Sequence, residues 1–261
     1  MVITPVDLQV TNITATSARL RWVNALQSLI TSLFSSNEQG AFYIPMPVVL
    51  GTQALFQDAA GTTPVTADGD PVGKMIDQSG NGYHAIQSVS GSRPVYRTDG
   101  VLHWLEFDGV DDRLFNYDFS RSNPDSLFFA LEWTSSFAGN KPLDGSFNNV
   151  ASISVFPDGR IRAFSGGSGV ISPAGSISLD EPYVGTAIFN LADSEIRING
   201  ASTGGTTGAM STNGLIIGGV SNGAEDFSGK LFSVISLGRL ASTSEIESVE
   251  AYLANLSGAT L

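Results

Sequence analysis

Cysteine is absent from the 261-residue sequence. Disulfide bridges and thiolate metal centres are therefore excluded, and cysteine-containing zinc motifs with them. Histidine is scarce: His84 and His103 are the 2 present. With so few histidines, a serine triad has little to build on. Basic residues are few as well, with Lys and Arg totalling 13 against 25 Asp and Glu, a net charge of −12. A chain so acidic repels the phosphate backbone, and no nucleic-acid partner is expected. No apolar run is long enough to span a bilayer, so membrane insertion is not expected. The opening "MVITPVDLQV" lacks a basic start followed by an apolar core. No secretory signal is visible, and work outside a cell would require another exit route. "GAEDFSGKL" spaces Gly223 and Gly229 wrongly for a phosphate loop and puts Leu231 where Ser or Thr belongs. Internal repeats and low-complexity tracts are missing too.

What the chain does have is glycine, 29 residues, with 11 prolines and 42% hydrophobic residues. Many turns with enough apolar content for a core point to an all-β domain. Short apolar runs recur from Ala41 onward: "LHWLEF", "LFFALEW", "VASISVF", "RIRAF", "VGTAIFN", "EIRIN", "LIIGG" and "KLFSVISL". "VFPDGRI" reads as a hairpin with Pro157, Asp158 and Gly159 at its tip, and "FNLADSEIRING" as a second around Asp193 and Ser194. Repeated strand–turn units of this kind predict a β-sandwich.

Both ends read differently. "VDLQV" and "ARLRW" alternate apolar and polar residues, which predicts a hairpin across "TNITATS". In "NALQSLITSLFSSNEQG", Leu26, Leu29, Ile30, Leu33 and Phe34 recur at helical spacing, with Asn24 as the cap. That stripe can pack on its own domain or join several chains. Residues 1–40 are read as an arm for anchoring or oligomerisation, and residues 41–261 as the main domain. At the other end Ser242 and Glu245 form a capping box, Ile246, Val249, Leu253 and Leu256 share a face, and Gly258 stands where a helix stops.

Several stretches in order carry a resemblance: "SLFSSNEQGAFYIP", "ALFQDAAGTTPVTADGDPVGKMIDQSGNGYHAIQ", "SRPVYR", "LEFDGVDDRL" and the closing "FSGKLFSVISLGRLASTSEIESVEAYLANLSG". From about residue 29 onward the chain resembles the concanavalin A-like, laminin-G-type jelly-roll domains of phage and prophage virion proteins. The aromatic–Asp–Pro segment common after "EQG" is replaced by "FYIPMP", without its acidic residue. The resemblance implies an antiparallel β-sandwich, a concanavalin A-like jelly roll, with a short N-terminal β/helical arm and a C-terminal helix. It implies a non-catalytic virion subunit (fibre, spike or capsid decoration), made in the host cytoplasm and carried on the extracellular particle. The expected partners are other virion subunits and host surface polysaccharide, in a homo-oligomer with a trimer favoured. The fold also serves purely structural decoration proteins and laminarinase-type hydrolases, so both remain alternatives.

Candidate sites follow. In "DQSGNG", Asp77 and Asn81 can bond their own backbone, and Gly80 and Gly82 permit positive φ, so the loop needs no ligand. Asp108, Asp111 and Asp112 crowd one turn, where mutual repulsion favours a cation such as Ca²⁺ unless Arg113 neutralises them. No cofactor is required; Ca²⁺ is the one considered, and laminin-G-type domains carrying such an ion at the sandwich rim strengthen it. Asp68 and Asp70 read as a solvated turn. Glu106, Asp108 and Asp111 give E-x-D-x-x-D beside the laminarinase-type E-x-D-x-x-E, but the Asp108–Gly109 turn is expected to carry Asp111 off the strand. For glycan contacts, the loop "SFAGNKPLDGSFNN" offers Asn140, Lys141, Asp144, Asn148 and Asn149, and aromatic platforms are available in Trp104, Trp133, Tyr96, Tyr117 and Tyr183.

Overall fold

In the computed structural model, residues 15–135, 141–145, 151–220 and 225–261 are described, with side chains described from Asn24 onward. The order begins α1 (Ala15–Phe34), β1 (Gly40–Tyr43), β2 (Val48–Val49), β3 (Thr52–Gln53), β4 (Leu55–Phe56), β5 (Lys74–Met75) and β6 (Ala85–Ile86). It continues through β7 (Val95–Thr98), β8 (His103–Asp108), β9 (Leu114–Ser122), β10 (Asp125–Trp133), β11 (Leu143–Asp144), β12 (Ala151–Val155) and β13 (Ile161–Ser165). The last elements are β14 (Ser168–Ile171), β15 (Tyr183–Phe189), β16 (Ser194–Ile198), β17 (Ala201–Gly205), β18 (Ser211–Ile217), β19 (Ser228–Leu237) and α2 (Thr243–Ser257).

All strands but β2 and β3, which pair only with each other, form a two-sheet antiparallel β-sandwich. The first sheet runs β17-β16-β15-β10-β19-β8-β7, with β1 paired to β19; the second runs β14-β13-β12-β11-β18-β9-β6-β5-β4. Each apolar run read as a strand lies in one of these, and both expected hairpins form, β12–β13 and β15–β16.

The burial of β10 shows how the layers stack. All nine of its residues are buried. Leu127, Phe129, Leu131 and Trp133 enter the core between the sheets, with Leu114, Ile153 and Ile217 of the second sheet. Phe128 and Ala130 face the other way, into a second core with Leu26, Leu29, Ile30 and Leu33 of α1 and Val249 and Leu253 of α2. A strand covered on both faces reads as a continuous apolar run, as "LFFALEW" does. Among the described residues, the helices therefore cover the outer face of the first sheet around β10, β15 and β19, and leave the outer face of the second uncovered by α1 or α2.

Polar clamps fix α2 on its sheet. Glu250 accepts from Thr186 Oγ1 and Arg197 Nε, both at 2.8 Å. The predicted capping box is complete: the Ser242 side chain accepts from Glu245 N, Glu245 bonds back to Ser242 N at 2.7 Å, and Gly258 ends the helix in the left-handed region at φ 78°.

The N-terminal hairpin is corrected. Residues 15–34 form one 20-residue helix, so "ARLRW" is helical and Asn24 lies inside it rather than capping it. The alternation of Ala18, Leu20 and Trp22 misleads because Ala18, Trp22, Leu26 and Ile30 also repeat every fourth residue, the spacing of one helix face. "VDLQV" lies outside the described residues. The stripe Leu26, Leu29, Ile30 and Leu33 is buried within its own chain.

Candidate functional site

The loop after β5 is a tie. Asp77 Oδ1 accepts from the backbone N–H groups of Phe42 and Ser79, each at 2.9 Å, and Oδ2 from Ser79 Oγ at 2.7 Å and Tyr83 N at 3.0 Å. Asn81 Nδ2 donates to the carbonyls of Glu38 and Gly40, both at 2.9 Å. Gly80 and Gly82 supply the positive φ angles, 93° and 80°. With four donors on one buried carboxylate, its lone pairs serve the fold and pin β1.

At the end of β8, Gly109 turns the chain at φ 75°. Asp108, Asp111 and Asp112 there each offer an oxygen within 4.8 Å of the others. Asp108 Oδ1 accepts from Val110 N at 2.8 Å, Asp111 Oδ2 from Ser92 Oγ at 2.7 Å, and Asp112 Oδ2 from Asp108 N at 3.0 Å. A second oxygen on each carboxylate stays open among the described residues. Asp112 is buried, and its carboxyl is pushed up to about 6, first by burial and then by the charge of Asp108. Arg113 does not relieve this: its Nε and Nη2 both donate to Asp226. Three clustered carboxylates without a cation partner suit a hard divalent ion that takes about six to eight oxygens.

The E-x-D-x-x-D residues divide. Glu106 and Asp108 lie two apart on β8, Asp111 lies past the Gly109 turn, and Glu106 Oε2 is held by Arg97 Nε at 2.6 Å. Glu106, Asp108 and Asp112 border an open hollow of about 370 Å³.

Of the loop residues read as glycan contacts, Asn140, Asn148 and Asn149 lie outside the described residues. Lys141 and Asp144 turn inward. Lys141 is buried and pairs with Glu225, and Asp144 is fully buried in β11, accepting from Gly145 N at 2.9 Å. Neither presents its side chain to solvent.

Among the aromatic candidates, Trp133, Tyr183 and Tyr96 are buried and Trp104 packs against the helix-side core. Tyr117 is 49% exposed. It stands on β9, where Leu114 points into the core, so Phe115 and Tyr117 take the outer face. Their ring centroids are 5.7 Å apart. On β6 Ala85 points inward, and His84 and Ile86 join the same outer face. Together with Ser88, Val89 and Asp118 these residues line an open hollow of about 490 Å³. His84 Nδ1 accepts from Asp77 N at 3.2 Å, which places its proton on Nε2, and burial, with Lys74 nearby, lowers its pKa, so the ring is neutral. Phe115, Asp118 and Ser88 were not among the residues singled out from sequence. The aromatic pair two apart in "LFNYD" is the signal that could have found them.

No family model matches the chain, and no curated protein matches it. Solved structures share the fold. Trypanosoma rangeli sialidase in complex with 2,3-difluoro-KDN aligns over 94% of this chain and 40% of its own, at TM-score 0.54 and 14% identity. The botulinum neurotoxin serotype D ligand binding domain in complex with N-acetylneuraminic acid aligns over 68% of this chain and 48% of its own, at TM-score 0.51 and 13% identity. The chain thus spans about 40% of the sialidase's length. At these identities the likeness places the chain among antiparallel β-sandwiches and goes no further.

Proposed function

We propose that this chain is a non-catalytic structural subunit of a phage virion (a fibre, spike or capsid decoration) whose lectin-like sandwich binds host surface polysaccharide. The phage assignment rests on the order of motifs from "EQG" to the closing strand and helix. The glycan assignment rests on one structural observation: the sheet face left free by the helices carries an open, aromatic-floored hollow with polar groups at its rim. Apolar lining with a few placed polar groups is how proteins orient small ligands. The fold shared with two proteins solved with sugar acids bound supports the same reading. A hollow this open binds weakly, and repetition over a homo-oligomer, a trimer favoured, converts weak contacts into avidity. The α1 stripe from Leu26 to Leu33 is spent on its own sandwich, so the arm of residues 1–40 anchors or oligomerises the subunit through its other residues. Ca²⁺ held by Asp108, Asp111 and Asp112 braces the rim.

The test is a glycan array probed with the full chain. Capture of host polysaccharide supports the reading. No capture, with particle assembly intact, leaves a purely structural decoration protein. A hydrolase reading has one observation of its own: Asp112, its carboxyl pushed up by burial, borders an open hollow beside Glu106 and Asp108, and a carboxyl held protonated is what a general acid needs. Release of reducing ends from a β-glucan, lost in Asp112→Asn, would establish it.

A further inference from the structure

The geometry points to the β6–β9 hollow as a site for a neutral glycan, with Tyr117 as the stacking platform and Asp118 as the hydroxyl acceptor. This rests on the glycan-binding reading above and specifies its ligand.

A pyranose has an apolar C–H face and a belt of hydroxyls. An exposed aromatic ring covers the first, and a carboxylate takes the second through two charge-assisted hydrogen bonds. Tyr117 and Asp118 are consecutive on β9 and both exposed. Ordinarily neighbours on a strand face opposite sides; here the pairing of β9 with β18 shifts register between Asn213 and Leu215, opposite this point. The Asp118 backbone is held by its N–H to Asn116 Oδ1 at 3.0 Å, and Asn116 in turn donates to the His84 carbonyl at 2.9 Å. The Asp118 carboxylate has no hydrogen bond or ion pair among the described residues, which leaves both oxygens for a ligand. Neutral His84 contributes an Nε2–H donor.

Charge then selects the sugar. Binding an acidic sugar calls for a guanidinium or ammonium in the hollow, and none lines it among the described residues. Arg113, close enough to influence Tyr117, is consumed by Asp226. Lys74 pairs with Ile86 in register and is near enough to act on His84, but it stands one strand further out with its ammonium beside Gly61, and it does not line the hollow. A sialic-type carboxylate at this position would meet Asp118 and be repelled. The site therefore separates this chain from the sugar acids seen with its neighbours in fold.

The experiment uses the full chain on an array of neutral oligosaccharides and their sialylated counterparts, with Tyr117→Ala, Asp118→Asn and Lys74→Ala beside the wild type. The expected result is capture of neutral glycans, weakened roughly tenfold or more by Tyr117→Ala and by Asp118→Asn, unchanged in Lys74→Ala, with melting temperatures preserved. Neutral-glycan capture indifferent to the first two variants overturns the site while the lectin reading stands. So does capture confined to sialylated glycans and lost in Lys74→Ala. No capture of any glycan removes the lectin reading and this site together.

Discussion

Replacing Asp112 by Asn removes a charge that the fold holds at a cost. Its carboxyl titrates at about 6 because burial and the neighbouring Asp108 disfavour the ionised form, against an ordinary value near 4. The folded protein binds that proton more tightly than the unfolded chain, so this group's contribution to stability falls as pH rises from about 4 to about 6 and then levels off. A titration displaced this far is worth roughly 3 kcal/mol before solvent screening and roughly 1–2 kcal/mol after it. Asn keeps an oxygen for the Asp108 N–H that Asp112 accepts at 3.0 Å, so the turn retains its bond. The expected outcome, in chelator, is a variant melting roughly 5 °C above wild type at pH 8, with the gap closing by pH 4. Calcium should reverse the order, because only the wild type gains binding energy, roughly 2.7 kcal/mol at a hundredfold excess over the dissociation constant. Thermal melts followed by circular dichroism at both pH values decide it. A variant no more stable than wild type at pH 8 in chelator refutes the electrostatic argument. A wild type indifferent to calcium refutes the metal and leaves the electrostatics intact.

Three other outcomes are expected. Asp77→Ala strands the donors of Phe42, Ser79 and Tyr83 and should cost about 3 kcal/mol or more in urea unfolding. Leu33→Ala, at a fully buried position under α1, should cost roughly 2–5 kcal/mol by the same measurement; a loss under 1 kcal/mol would show that the helix is not seated on the sheet. Glu245 is held down at about 2, chiefly by Arg239, so its contribution is present above the ordinary carboxylate range and lost as pH falls toward 2; acid titration of Glu245→Gln should lack that part of the wild-type loss.

Legibility in the sequence followed the range of the interactions. α2 was readable because its signals are local: a cap at Ser242, Glu245 three residues on and Gly258 at the end. β10 was readable because two cores bury it from both sides. β9 was not, since its inward positions include Asn116 and Arg121, both buried, and Arg121 is tolerated there by its 2.6 Å pair with Asp125 and its place over the Phe189 ring. The register shift then breaks the alternation that marks a strand, and the strand carrying the best candidate site stayed hidden. The Asx chemistry of Asp77 was visible, but its bond to Phe42, 35 residues away, was not. Lys141 and Asp144 looked like solvated loop polar groups. The partner that buries Lys141, Glu225, is distant in sequence.

The acidic turn and the aromatic hollow are joined by one segment. Gln87, Ser88 and Val89 wall the hollow, and Gln87 Nε2 donates to the Arg113 carbonyl at 2.9 Å. A few residues on, the Ser92 carbonyl accepts from Arg113 N at 3.1 Å and Ser92 Oγ bonds Asp111 at 2.7 Å. An ion on the three carboxylates would fix Asp111, through it Ser92, and so the wall at Ser88 and Val89. Ordering the wall before the ligand arrives lowers the entropy lost on binding, which couples two sites that share no ligand. Calcium should therefore tighten neutral-glycan binding in the wild type, a few-fold, and Ser92→Ala should abolish the gain while keeping the calcium-induced rise in melting temperature. Isothermal titration with and without calcium measures both. Equal glycan affinity in calcium and chelator, in a protein whose melting temperature calcium raises, would mean that the wall is already rigid and that the ion serves the fold alone.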